Sequence, residues 1–298
     1  MRRKNKRLLI ALLTALLLAA AAFFVPDDVL PWLKKPRAAV TDAASRAYSA
    51  VKEAVGGLLD QESDGDTQTL PAVAADGLEM PASRTGVLVA YTGFTVSWDD
   101  RCKIPEWVAY ELTQQEAFAE DVARGDVFWE DTRVRNPSRL SDYRGSGYDR
   151  GHMCPSNDQR WSGQANYDSF SLLNMVPQDH DYNAGIWLTA EKWVRNVAGR
   201  YGKVYVATGP LIEKEMKTIG SGVAVPNSCW KALLVISEGK ASSIAVCIPQ
   251  DAPRGQLHPY VMSVNELEEI TGLDLFCNLP DDSEDRIESM KSIKGWQM

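Results

Sequence analysis

One histidine, one asparagine, one glutamate and two arginines could carry chemistry in this chain. They fall in two short stretches, Tyr148-Asp149-Arg150-Gly151-His152 and then Asn183 with Glu191 and Arg195. The chain has only three histidines, so one that follows an arginine and a glycine stands out. An imidazole near its ordinary pKa can take a proton from water at neutral pH, which makes His152 a candidate general base. The neutral amide oxygen of Asn183 suits a hard cation such as Mg2+. Arg150 and Arg195 would hold a phosphate in a planar, bidentate grip. Base, oxygen ligand and phosphate clamps together point to phosphodiester hydrolysis.

These residues need elements to position them. Val87 to Trp98 is rich in β-branched and aromatic residues and predicts strands broken at Gly93, with Trp107 to Leu112 continuing that character. Thr113 to Arg124 predicts a short helix capped by the Thr113–Glu116 pair. A loop from Pro137 to Gly147 delivers the chain to His152. Ser169 to Val176 predicts a short apolar strand ended by Pro177, and Asn183 is expected to open a helix running to about Gly202. On that helix Glu191 and Arg195 share a face. Asn183 at the N-terminus lies roughly 12 Å from Glu191 at about 1.5 Å per residue. The glutamate is therefore better placed to hold metal-bound waters or Arg195 than to ligate an ion. Further on, Lys203 to Ile212 predicts a strand. Trp230 to Ile236 and Ser242 to Ile248 predict a hairpin about Glu238-Gly239. Ser263 to Ile270 predicts a helix with a Ser263–Glu266 capping box and a stop at Gly272. Strands and helices do not alternate strictly, which gives an α+β fold with a mainly antiparallel central sheet flanked by helices.

The tetrapeptide D-R-G-H at Asp149 to His152 and the pattern N-x-G-x-W-x-x-x-E from Asn183 to Glu191 occur in this order, about thirty residues apart. Together they resemble the DNA/RNA non-specific endonuclease family, of the ββα-metal or His-Me finger superfamily, which includes secreted bacterial nucleases and mitochondrial endonuclease G. Supporting segments are P-E-W-V-A-Y-E-L at 105–112, L-S-D-Y-R-G-S-G-Y at 140–148 and A-T-G-P at 207–210. The resemblance runs from about Val87 to the C-terminal region. It implies a ββα-metal nuclease fold, DNA and RNA as substrates, and Mg2+, with Mn2+ as the alternative ion. It further implies Asn183 as metal ligand, His152 as base, Arg150 and Arg195 as charge stabilisers and Glu191 as the group that orients metal waters. A homodimer is compatible with it.

Each residue also has a plainer reading. A histidine near a strand end is usually a hydrogen-bonded surface or core group, Asn183 could simply cap its helix, and Glu191 with Arg195 could be a surface ion pair of little worth. Arg150 could merely brace its loop. The two motifs in order favour the catalytic readings. His180, between Asp179 and Asp181, has no role in the family pattern, and the tryptophans are expected in the core. Secreted members of the family often carry a basic residue after V-A-Y, whereas this chain has Glu111; Arg101, Arg144 or Arg160 could stand in for it. Of the five cysteines, Cys229 and Cys247 are the first disulfide pair to test, and Cys102 with Cys277 would be a guess. Cys154 is a poor candidate nucleophile, since metal-assisted hydrolysis needs none.

The 298 residues carry 45% hydrophobic and 24% charged residues, ordinary for a globular protein. A net charge of -8 argues against an architectural nucleic-acid binder, though not against an enzyme that focuses a few arginines on one phosphate. Arg2, Arg3, Lys4, Lys6 and Arg7 precede an apolar run from Leu8 to Val25. Its length favours an uncleaved membrane anchor over a signal peptide, with the remainder facing outward from the cytoplasm. The expected organisation is an anchor or signal peptide at 1–25, an alanine-rich amphipathic stalk helix at 26–59, an acidic flexible linker at 60–79 and the nuclease domain at 80–298. A silent nucleic-acid- or protein-binding module on the same fold, or a phosphodiesterase for smaller substrates, are the competing readings.

Overall fold

The computed structural model describes residues 68–69, 77–85 and 87–296. These lie within one compact unit, Asp66–Met298. The expected anchor, the stalk helix and most of the linker fall outside the described residues.

Twelve strands are described: β1 (Gln68–Thr69), β2 (Leu88–Ala90), β3 (Thr95–Asp99), β4 (Ile104–Thr113), β5 (Asp149–His152), β6 (Met175–Gln178), β7 (Lys203–Pro210), β8 (Lys217–Ile219), β9 (Val223–Val225), β10 (Ser228–Ser237), β11 (Lys240–Pro249) and β12 (Val261–Met262). Eight of them make one sheet in the order β1-β11-β10-β7-β4-β3-β2, with β12 beside β11. Every pairing in it is antiparallel. Strand β1 lies inside the stretch read as linker.

Alternation along the central strands sends side chains to two separate cores. Val108, Tyr110, Leu112, Val204, Val206, Leu233 and Val235 join one core, which also takes Ala190, Trp193, Val194 and Val197 of the long helix Leu188–Tyr201. Trp107, Ala109, Tyr205, Ala207, Trp230 and Leu234 join the other, under the helices Val264–Thr271 and Asp281–Glu288. The sheet is thus covered on both faces, an α+β fold as expected.

Local signals account for many element ends. Thr113 and Glu116 form the capping box, yet the helix it starts is only Gln114–Ala117, because Phe118 leaves helical geometry. The Ser263–Glu266 box and the left-handed Gly272 bound their helix as predicted. Glu238 and Gly239, both at positive φ, turn the β10–β11 hairpin. The loop before β5 contains a helical turn, Leu140–Tyr143. The stretch 169–176 is not one strand: Leu172–Asn174 is a 3-10 turn, and β6 begins at Met175 and runs through Pro177. Proline is tolerated there because β6 pairs only with β5, so its missing N–H faces no second neighbour.

All five cysteines are free. In the hairpin Cys229 lies opposite Ile248, and Cys247 opposite Trp230. One position of offset puts the two sulfurs on opposite faces of the sheet, one in each core. The Cys229–Cys247 bridge is excluded on that ground, and Cys102–Cys277 does not form either.

Candidate active site

β5 and β6 form a separate two-stranded antiparallel ribbon, with His152 opposite Met175 and Asp149 opposite Gln178. The glycine of D-R-G-H allows their close approach: a Cβ at Gly151 would lie 2.0 Å from the Gln178 Oε1 atom. The ribbon leads into a helical run that starts one turn earlier than expected. It opens at His180, passes through a π-helical turn at Asn183–Trp187 and continues as the helix Leu188–Tyr201. Asn183 is therefore not a cap. Its own N–H donates to the Asp179 carbonyl (2.9 Å), and its side chain makes its hydrogen bond elsewhere than to the helix start. Gly185 leaves helical geometry in that turn (φ -112°, ψ -108°), where a Cβ would meet Arg254. Trp187 is fully buried and donates its indole N–H to the His152 carbonyl (3.0 Å), tying helix to ribbon. Gly151, Gly185 and Trp187 of the two motifs thus each have a physical reason.

A cleft of about 740 Å3 opens over this junction. His152, Asn183, Glu191 and Arg150 all line it, together with Arg124, Arg144, Phe128 and Asp149. His152 is buried, and Phe128 and Phe170 pack against its ring at 5.7 and 5.1 Å between centroids. Its Nε2 has no hydrogen-bond partner. Burial, and then the charges of Arg124 and Arg150, push its pKa down to about 3, so the imidazole is neutral at physiological pH. Arg150 lies over the Phe128 ring, 4.2 Å from its centroid, which fixes the guanidinium at the cleft wall. Glu191 is half-buried, and desolvation pushes its carboxyl up to about 7.

The Asn183 amide is oriented by chemistry. Its Nδ2 donates to Asp149 Oδ2 (3.0 Å), a carboxylate oxygen that also meets His180 Nδ1 at 2.9 Å. A carboxylate only accepts, so the amide N–H must face it and the Asn183 carbonyl oxygen is left for the cleft. A neutral oxygen held this way fits a hard divalent ion that keeps most of its water. Among the described residues no group of three or more His, Cys, Asp or Glu is placed to hold a metal, and an ion of this kind does not require one.

Arg195 is not brought to the cleft lining. It is mostly buried and donates to Asp158 Oδ1 (2.8 Å); Asp158 is wholly buried and accepts from the Tyr110 hydroxyl (3.0 Å) as well. Glu111 is also elsewhere, paired with Lys203 (2.8 Å). Of the three proposed stand-ins, Arg101 pairs with Asp99 and Arg160 with Glu120, while Arg144 is exposed at the cleft. Cys154 is buried and its thiol is pushed well above its usual range by burial, which removes it as a nucleophile. The motifs did not reveal Arg124, Phe128 or Asp149 as site groups. Only Asp149 left a signal, its place in D-R-G-H.

A strand pair that carries a histidine, followed by a helix that carries an asparagine, defines a ββα-metal fold. The profile of the DNA/RNA non-specific endonuclease family matches residues 76–282, and the chain belongs to that family. It is 28% identical over 281 residues to Nuclease EXOG, mitochondrial, of Homo sapiens, covering 86% of this chain and 73% of that one. With the Danio rerio Nuclease EXOG it shares 32% identity over 204 residues, 62% of this chain; it spans about three-fifths (60%) of that relative's length. Among solved structures, the crystal structure of the EndoG/EndoGI complex matches with a TM-score of 0.62 and 28% identity, over 67% of this chain and 90% of that one.

The relatives correct one expectation. Both are named as mitochondrial nucleases, whereas the leader had pointed to a membrane-anchored or secreted enzyme facing outward from the cytoplasm. Among the described residues no helix is long and apolar enough to cross a membrane. The outward-facing placement therefore does not stand.

Proposed function

We propose that this protein is a Mg2+-dependent endonuclease that hydrolyses DNA and RNA without selecting the sugar, with His152 as general base and Asn183 as the metal's protein ligand. The observation that carries this reading is the convergence of a neutral, unpartnered imidazole and a pre-oriented amide oxygen in one arginine-lined cleft. When bound, Mg2+ supplies positive charge to the scissile phosphate and the leaving oxygen.

His152 takes the proton from the attacking water. The charges that depress its basicity are those of Arg124 and Arg150, which line the same cleft. A phosphate seated between these guanidiniums would offset them and raise the proton affinity of the imidazole. Substrate binding would thus strengthen the base where it is needed. Arg144 and Arg150 clamp the phosphate from the rim. Asp149 holds Asn183, and Glu191 offers an acceptor for ordered water at the cleft wall. Arg195 acts through Asp158 and Tyr110, setting the floor of the site rather than gripping substrate.

The test is digestion of supercoiled plasmid and of single-stranded RNA by the full chain, with Mg2+, with EDTA, and with His152→Ala and Asn183→Ala beside the parent. Cleavage of both polymers that disappears with EDTA and in His152→Ala is the expected outcome. A folded parent that binds DNA yet cuts neither polymer would make it a binding module. Cleavage confined to a small phosphodiester would make it a phosphodiesterase for smaller substrates. Sedimentation at the assay concentration decides whether a homodimer forms.

A further inference from the structure

Lys231 is the one lysine among the described residues that is fully buried. It sits mid-strand in β10, hydrogen-bonded on both sides to β7 and β11, where alternation points it at the core beneath the cleft. Its Nζ donates to the Met153 carbonyl (3.2 Å) and to Thr208 Oγ1 (3.3 Å), and it lies over the Trp187 ring, 4.4 Å from the centroid. Met153 follows the proposed base directly in the chain. Trp187 donates to the carbonyl of that base and stands four residues after Asn183 and four before Glu191. One ammonium therefore touches the sheet, the end of the His152 strand and the helical segment that bears the other cleft groups.

Packing alone does not call for a charge here, since an apolar side chain of similar volume often replaces a buried ionic group at little cost to stability. What an apolar chain cannot do is hold the Met153 carbonyl and the Trp187 ring in register at once. Burial pulls the Lys231 pKa down, and Glu191 at the cleft wall and Asp158 below it are the carboxyls that favour its charged form.

We propose that Lys231 is a positioning residue for the hydrolysis. Its ammonium ties the strand end bearing His152 to the sheet and, through Trp187, to the segment bearing Asn183 and Glu191, so that base and oxygen ligand keep one spacing. The inference rests on the nuclease reading above, and no part of it needs Lys231 to touch substrate.

Three variants of the full chain test it by plasmid cleavage with Mg2+. Lys231→Met is expected to fold and to lower kcat about 10–100-fold with KM within twofold of the parent, the size of effect seen when a supporting partner of a metal site is lost. Thr208→Val removes one acceptor while leaving the lysine in place, and is expected to lower kcat severalfold, again with KM held. Leu233→Ala is the control, because it empties core on the same strand and the same face while leaving the ammonium its contacts with the Met153 carbonyl, the Thr208 hydroxyl and the Trp187 ring. It should lower Tm and leave kcat unchanged below the transition. The imidazole 15N resonances of His152 should move in Lys231→Met and stay in Leu233→Ala. Parental kcat in Lys231→Met, or equal losses in it and Leu233→Ala, overturns the inference. If Lys231→Met does not fold, Thr208→Val decides alone: parental kcat there overturns the inference, and a kcat loss without a KM change sustains it. An inactive parent would instead sink the nuclease reading on which the inference stands.

Discussion

His152 and Glu191 face one cleft with proton affinities moved in opposite directions, and the two shifts leave separable marks on stability. The imidazole is lowered from 6.5 to about 3, so the folded state binds fewer protons than the unfolded chain between those values. Its contribution is present above pH 6.5 and is lost as pH falls towards 3. The Glu191 carboxyl is raised from 4.5 to about 7, so its contribution is present below pH 4.5 and is lost as pH rises through 7. Between pH 4.5 and 6.5 the two slopes oppose each other. Chemical denaturation of the metal-free protein at several pH values separates them. Glu191→Gln should gain stability relative to the parent as pH rises from 4.5 to 7, and His152→Gln should gain as pH falls below 6.5. Differences that stay flat with pH in both variants would mean that neither group is desolvated as the structure places it.

Elements were legible in the sequence wherever local chemistry decided them, and illegible where tertiary contact did. The capping boxes at Thr113 and Ser263, the turn at Glu238-Gly239 and the helical stretch after Asn183 all rest on short-range signals. Pro177 inside β6, the early start at His180 and the π-turn at Gly185 rest on what the ribbon and Arg254 pack against, which no local pattern encodes. The site followed the same rule. That His152, Asn183, Glu191 and Arg150 share one cleft followed from the two motifs in order, whereas the diversion of Arg195 to Asp158 depends on a carboxylate 37 residues away. Two variants probe these elements. Gly151→Ala would press a methyl against the buried Gln178 side chain and spread the ribbon; a displacement of about 1 Å at the base is worth roughly 100-fold in rate. Activity should return in part when Gln178→Ala is added, and no recovery would mean that the glycine serves something else. At the hairpin, Glu238 holds φ at 52°, a left-handed geometry that costs an ordinary residue about 1 kcal/mol and asparagine less. Glu238→Asn should therefore raise the denaturation midpoint and leave kcat unchanged.

At the scale of the whole molecule, the proposed nuclease is an acidic chain that has to hold a polyanion. A net charge of -8 disfavours nucleic acid overall, so on that reading affinity comes from the cleft, where Arg124, Arg144 and Arg150 gather. Acids elsewhere neutralise several other arginines, as Asp99, Asp131 and Asp158 do for Arg101, Arg133 and Arg195. That division gives the salt dependence a definite size. Each neutralised phosphate contributes about -0.9 to the slope of log affinity against log salt on duplex DNA, so three cleft arginines set a slope of roughly -2 to -3. A basic binder that coats DNA would show a much steeper one. The slope of log kcat/KM between about 50 and 200 mM salt should fall in that range, and Arg144→Ala should make it shallower by about one. Arg101→Ala should leave it unchanged, because that guanidinium is already paired with Asp99. A slope near zero would show that the arginines do not carry binding. A slope several times steeper would mean that substrate meets a larger basic surface than these residues provide, and the second result would direct the search to the basic residues that precede Leu8.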